Sequence, residues 1–376
     1  MCVQQIRLMI LLVLALMLLV GCRTSEATKN EEKPTVAFLA YDLNDKFIQM
    51  IEKVVKKASV DRANLISQDA ENNQGLQEKQ AGGLSGLGVK SVIVNIVERT
   101  EGEAILKVLK EKNIPVVFIN REPEESVISD WDMAYYVGAN PLESGRMSVE
   151  ILIDYFDGHR DADRNLDGLV QYVVLMGESG NQDTVYRTQA YKEVFDESDS
   201  QSGIGGQELI RVTAGWDRNT AREKMKDIIA VFGEQIEAVL ANNDEMALGA
   251  IDALKEAGYF GPGNRFIPVV GVDGLQEALV SVAQGVMLGT VLSDTVSQGV
   301  DALYIAAALA NEAKPVDTSV RLTSANGLGP GRYIWVPYHK VTKENYRGYL
   351  KNEKQLLEDA DKNENQNTRS LDGEAS

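Results

Sequence analysis

Five polar residues stand where short β-rich runs of this chain end. Asp45 lies in the turn after the run 35–39, Asn120 closes 114–120, Asn243 follows 236–241, Asp273 closes 266–273, and Ser293 follows 287–292. Carboxylates, amides and hydroxyls gathered in one place do hydrogen-bonding chemistry, and together they suit a ligand rich in hydroxyl groups. Any one of them also suits a helix N-cap or a turn. Their recurrence at so many strand ends points to a ligand site, because open parallel sheets bind ligands outside the carboxyl ends of their strands.

A second constellation begins at Asp163. Asp163, Asn165, Asp167, Gly168, Leu169 and Gln171 fall at positions 1, 3, 5, 6, 7 and 9 of a calcium loop of EF-hand type. The side-chain oxygens at the odd positions would wrap the ion, Gly168 permits the sharp turn, and Leu169 offers its backbone carbonyl. The bidentate Glu expected at position 12 is replaced by Val174, in a strand-like run, and no helix follows. An EF-hand as such is therefore excluded, and a metal-free Asx-rich turn is the plain alternative.

Other chemistries find little support. The histidines are His159 and His339, and neither sits at a strand end with carboxylates around it. No Gly-x-Ser-x-Gly, His-Glu-x-x-His or phosphate-binding glycine loop occurs. Asp45 and Asp273 are the one imaginable glycosidase pair. The cysteines, Cys2 and Cys22, both precede the globular part, which leaves it no disulfide and no thiol nucleophile.

The elements that must position these residues are read from periodicity. Strand-like runs at 35–39, 64–67, 91–94, 114–120, 171–176, 236–241, 266–273 and 287–292 alternate with helix-period segments such as 245–258, which ends on a glycine. Such alternation predicts parallel sheets covered on both faces. With 376 residues, 44% hydrophobic and 25% charged, the chain has material for two domains. A net charge of -18 argues against a nucleic-acid partner and fits a monomer kept apart by its charge.

Both ends have their own character. Arg7, the apolar run 8–20 and the sequence Leu19-Val20-Gly21-Cys22 resemble a bacterial lipoprotein signal, with cleavage before Cys22 and a palmitate-type lipid on that residue. The alternative is an uncleaved anchor. Either places the body outside the cytoplasm, and on the lipoprotein reading the lipid on Cys22 anchors it at the membrane. Residues 22–33 read as a tether and 351–376 as a polar tail that cannot bury enough surface to order itself.

Several stretches resemble the periplasmic galactose/glucose-binding proteins of sugar ABC transporters. They are Asn120-Arg-Glu-Pro123, Ala134-Tyr-Tyr-Val-Gly138, Gly215-Trp-Asp217, Ala241-Asn-Asn-Asp244, Gly271-Val-Asp273 and Gly289-Thr-Val-Leu292, within a similarity that runs from about residue 34 to 350. The resemblance implies a two-lobe type I binding-protein fold of class α/β, with a three-crossover hinge. One lobe would comprise 34–139 plus 294–335, the other 140–293 plus 336–350.

It also implies a sugar in the cleft. Asp45, Phe47 and Asn120 would contact it from the first lobe, and Asp183, Arg187, Trp216, Asn243 and Asp273 from the second. Phe47 and Trp216 would sandwich the ring's C–H faces. Asp183 and Arg187, four apart on a predicted helix, share a face. Two positions depart from the family pattern: Asn181 stands in place of a His and Ser293 in place of an Asn. The family pattern further implies structural Ca2+ on the loop from Asp163, with Glu237 as the distant bidentate ligand. The function implied is capture of galactose, glucose or a methyl-galactoside for an ABC permease, without catalysis. A pentose or another aldohexose, and reporting to a chemoreceptor, are the alternatives.

Overall fold

The computed structural model describes residues 32–261, 265–315, 322–327, 331–350 and 355. The leader with Cys22 and all of the tail 351–376 but one residue lie outside the described residues.

Strand β1 (Thr35–Ala40) is apolar and buried beyond its first residue. A strand buried on both faces belongs inside a parallel sheet. It pairs in parallel with β2 (Asn64–Asp69) on one side and β3 (Val89–Val94) on the other. With β4 (Val116–Ile119), β5 (Ala134–Gly138) and β11 (Tyr333–Trp335) they form a sheet of order β11-β5-β4-β3-β1-β2. The second sheet contains β6 (Leu169–Met176), β7 (Gly205–Thr213), β8 (Ala238–Ala241), β9 (Val269–Asp273), β10 (Gly289–Ser293) and β12 (Tyr338–Thr342), in the order β12-β10-β9-β8-β6-β7. All its pairs are parallel except β10 with β12.

Helices flank both sheets. Along the first run α1 (Lys46–Ala58), α2 (Gln74–Gly83), α3 (Gly102–Glu111) and α4 (Glu125–Ser129), and along the second α5 (Pro141–Gly158), α6 (Gln182–Ser202), α7 (Arg218–Phe232), α8 (Asp244–Glu256) and α9 (Gln276–Gln284). Helix α10 (Thr295–Ala310) returns to the first sheet and packs on α1, β3 and β4. Helix α1 shows why the sequence folds this way. Phe47, Ile48, Ile51, Val54 and Val55 form its buried face, Asp45 caps its start, and Lys56 and Lys57 sit in its last turn, where positive charge suits the helix dipole.

The chain crosses between lobes three times: after β5, at Asp294 between β10 and α10, and between β11 and β12. This is the two-lobe, three-crossover α/β fold that the resemblance implies. The strand reading from sequence differs at β5, β7, β11 and β12, which it omits. β5 is a five-residue strand, short for a periodic signal. β7 is a half-exposed edge strand of mixed polarity, and β11 and β12 span only three and five residues.

Candidate functional site

One small cavity of about 40 Å³ lies between the lobes at the carboxyl ends of the strands. Tyr41, Asp45, Phe47, Ile48, Asn120 and Arg121 line it from the first lobe. Asn181, Asp183, Arg187, Trp216, Asn243 and Asp273 line it from the second. The cavity is small, and side chains of the two lobes bond to one another beside it, so the lobes stand close together. Nine of the ten sugar-site residues named from sequence meet here. Ser293 instead lines an adjoining chamber of about 590 Å³, which shares Phe47 and Asp273 with the cavity, and its hydroxyl accepts from Gln298 Nε2 at 2.9 Å. Size alone is no guide to the site. A cavity of about 630 Å³ at the far end of the first lobe, beside Val89, Pro115 and Tyr135, receives none of the strand-end set.

Local structure explains the positions. Asp45 Oδ1 accepts from the backbone N–H of Phe47 at 2.8 Å and of Ile48 at 3.2 Å, capping α1. Asn181 caps α6 and Asn243 caps α8 in the same manner. The N-cap reading of these residues therefore holds alongside their place in the cleft. Three other members carry strained backbone: φ is +62° at Asn120, +67° at Trp216 and +125° at Asp273. Such conformations cost about 1–3 kcal/mol each in a non-glycine residue and persist where the surroundings over-determine them, as they do at ligand clamps.

Arg187 is the buried anchor of the second lobe. It donates through Nε to Ser144 Oγ at 3.1 Å, through Nη1 to the Asn242 carbonyl at 2.6 Å, and through Nη2 to Asp183 Oδ2 at 2.7 Å and Tyr338 Oη at 3.2 Å. Burial opposes its charge, but Asp183, Tyr338 and Asp273 outweigh that and hold the guanidinium charged. Asp273 is pushed well up from the ordinary carboxyl range, first by burial and then by the neighbouring Asp244, with Arg187 pulling the other way. Asp244 itself accepts from Thr290 Oγ1 at 2.7 Å and the Leu275 N–H at 2.8 Å. Burial pushes Asp244 up to about 7 as well, although those two donors favour its ionised form; of the two carboxyls, Asp273 is the one that lines the cavity and that a ligand's hydroxyls can reach.

Trp216 rests on Gly177. A Cβ placed at Gly177 would lie 2.1 Å from the indole, so only glycine lets the ring lie flat there. The indole N–H is buried and has no hydrogen-bond partner. Besides the apolar Ile48, two cavity residues are absent from the sequence reading. Tyr41 donates its hydroxyl to Asp45 Oδ2 at 2.6 Å, and the Arg121 guanidinium stacks 3.5 Å from the Tyr41 ring centroid. Both directly follow strand ends, so the strand-end rule itself would have found them. Tyr41 merges with the apolar strand before it, and Arg121 is hidden behind Asn120.

The loop from Asp163 is a separate polar turn. Asp163 accepts from the N–H groups of Leu166 and Gly168, both at 2.9 Å, and φ at Gly168 is +81°. Glu237 reaches the loop from the start of β8 and accepts from the N–H of Arg164 at 2.7 Å and of Gln171 at 3.1 Å. Burial pushes its carboxyl upward, and the charges of Asp163 and Asp167 add to that. Nδ2 of Asn165 and Nε2 of Gln171 face Asp167. Among the described residues, no three His, Cys, Asp or Glu side chains gather closely enough to hold an ion as they stand.

A cleft of hydroxyl-matching side chains, supplied by two lobes that meet over it, defines a solute-binding protein. The chain belongs to the periplasmic binding protein domain family, which it matches over residues 36–314. It is 33% identical over 314 residues to the D-galactose/methyl-galactoside binding periplasmic protein MglB of Haemophilus influenzae, across 83% of this chain and 90% of that protein. It is 28% identical over 276 residues to a xylitol-binding protein of Mycolicibacterium smegmatis, across 73% and 72% of the two chains. An ABC transporter solute-binding protein of Bacillus halodurans, solved with bound myo-inositol, superposes with a TM-score of 0.69 at 25% identity, across 86% of this chain and 99% of that one. The relatives are binders, and this protein is not an enzyme. The family works outside the cytoplasm. No helix among the described residues is long and apolar enough to cross a membrane.

Proposed function

We propose that this protein captures a hexose of the galactose/glucose type and delivers it to an ABC permease. The observation that carries this reading is the joint placement of Asp45, Phe47 and Asn120 opposite Asp183, Arg187, Trp216, Asn243 and Asp273 on one cavity. Carboxylates accept from sugar hydroxyls, amides donate and accept, and the aromatic rings suit the ring's C–H faces. The similarity to the galactose-binding MglB supports the hexose. Asn181 spends its side-chain oxygen capping α6, so toward a ligand it offers chiefly its NH2 group. Ser293 faces the adjoining chamber, so any contact it makes with a ring in the cavity is indirect. These two departures bear on which monosaccharide binds best, and a pentose or another aldohexose is the second reading. Because the lining comes from both lobes, a ring enters with the lobes apart and is held when they close on it.

The polar turn at Asp163 is read as a structural Ca2+ site. Its donors are of the right kind: Asp163, Asn165, Asp167, the Leu169 carbonyl, Gln171 and Glu237. The fit requires Asn165 and Gln171 to turn their amides so that oxygen rather than nitrogen faces Asp167. Bound calcium would supply positive charge among three carboxylates and fix the turn. Cys22 is read as the lipidated first residue of the mature protein, which then acts as a membrane-tethered monomer without a nucleic-acid partner. Reporting to a chemoreceptor is compatible with the same cleft.

Calorimetry of the purified protein against galactose, glucose, methyl-galactoside, ribose, xylitol and myo-inositol tests the sugar. The tightest binding is expected for galactose or glucose. Tighter binding of a pentose or a polyol would replace the hexose reading.

A further inference from the structure

Arg121 bridges the cleft. It follows β4 of the first lobe, and its Nη2 donates to Oε2 of Glu178, just past β6 of the second lobe, at 2.9 Å. Its Nη1 donates to the Val97 carbonyl at 2.8 Å, while its plane lies on the Tyr41 ring. The other carboxylate oxygen of Glu178 accepts from Asn72 Nδ2, again from the first lobe, at 3.2 Å. Beside this pair, Gln182 Nε2 donates across the cleft to Glu122 Oε2 at 2.9 Å. Three first-lobe side chains thus meet two residues at the start of the α6 segment.

We propose that Arg121 and Glu178 form a latch on the closed lobes, so that part of the affinity for sugar comes from a pair that does not itself hold the sugar. This deepens the sugar-binding reading and rests on it. The donors of Arg121 toward the cleft are already committed to protein oxygens. Its guanidinium is seated on Tyr41 before closure, so little side-chain freedom is lost when the pair forms. The side chains are 10% and 29% exposed, which places the pair between a surface ion pair and a buried one. Cross-cleft bonds exist only in the closed form. When that form is the minor one without ligand, any factor lost from its stability appears as the same factor in Kd for every ligand. A residue that touches the sugar instead changes different sugars unequally. Arg121 is in this sense a positioning residue.

The test uses the whole mature protein and the variants Arg121→Met, Glu178→Gln and the double variant. Glu178→Gln keeps an oxygen for Asn72, and a melting curve on each variant establishes that it folds. Calorimetry with several sugars should show each single variant weakening all of them by one common factor, about threefold to thirtyfold. The double variant should be no weaker than the weaker single one. Rising salt should weaken the parent and leave the double variant nearly unchanged. Unchanged Kd in folded variants, additive losses, or a loss confined to particular sugars would each overturn the latch, the last by making Arg121 a sugar contact. If the parent binds none of the sugars, the sugar reading fails by itself. Paramagnetic relaxation from a spin label on one lobe, which detects even a minor closed form, then decides the latch: Glu178→Gln must lower the cross-cleft enhancement in the ligand-free protein, and an unchanged enhancement overturns it.

Discussion

Replacing Gly177 by alanine adds one methyl group beneath the Trp216 ring, which lines the cavity. The new carbon would sit 2.1, 2.2 and 2.4 Å from three carbons of the Trp216 indole. Carbon atoms settle at about 3.5–4.0 Å, so the ring must retreat by roughly 1.5 Å or tilt off its seat. Backbone on both sides resists accommodation. The Gly177 N–H is bonded to Asn242 Oδ1 at 3.1 Å, and φ at Trp216 is already +67°. Overpacking of this kind destabilises a protein by about 1–3 kcal/mol. Displacing a buried aromatic anchor weakens binding by about 2 kcal/mol or more, roughly thirtyfold in Kd. Calorimetry for affinity, with thermal melting on the same samples, separates the two effects. The double variant Gly177→Ala/Trp216→Ala should bind no worse than Trp216→Ala alone, because the methyl acts only through the ring. Parent-like affinity in Gly177→Ala, or additive losses in the double variant, would refute the placement of the indole at the sugar.

Three further outcomes are expected. Arg187→Met leaves Asp183 and the Asn242 carbonyl without their buried partner, and should cost about 3–5 kcal/mol of stability as well as sugar binding; a parent-like chemical-denaturation midpoint would contradict this. Burial, with the Asp294 charge adding, pushes the Asp301 carboxyl up to about 7. The fold then holds that proton more tightly than the unfolded chain, so this group's contribution is full below about pH 4 and is lost as pH rises toward 7. Asp301→Asn should therefore melt higher than the parent above pH 7, by roughly 2–4 °C for each kcal/mol recovered, with the advantage vanishing near pH 4. Chelator should lower the melting temperature and calcium restore it, with magnesium a poor substitute because it demands a tighter octahedral shell. An unchanged melt together with no calcium by elemental analysis would dismiss the ion.

The strand-end polar residues were legible because parallel-sheet physics singles out those positions, and Asp45, Asn120, Asn243 and Asp273 all reach the cavity. Asp183, Arg187 and Trp216 were legible only through resemblance. Their runs carry no periodic mark of a cleft, and the strand before Trp216 alternates too weakly to read. Ser293 obeys the strand-end rule yet faces the adjoining chamber, because a strand end fixes a neighbourhood and not the direction of a side chain. Tyr41 and Arg121 hold each other through a stacking contact between residues eighty positions apart, which no local pattern announces. The third crossing comes from tertiary pairing of β11 and β12, segments too short to assert themselves in sequence.

Those last two strands have a consequence for how the molecule comes into being. β11 completes the first sheet beside β5, and β12 completes the second beside β10, within ten residues of each other near the end of the fold. Neither lobe is a continuous stretch of chain, so neither can finish assembling while its last partner is still being synthesised. Until residue 342 arrives, β5 and β10 each present an unpaired edge. A chain that reaches its final structure only on completion stays unfinished throughout synthesis, the condition in which a polypeptide can still be threaded through a membrane.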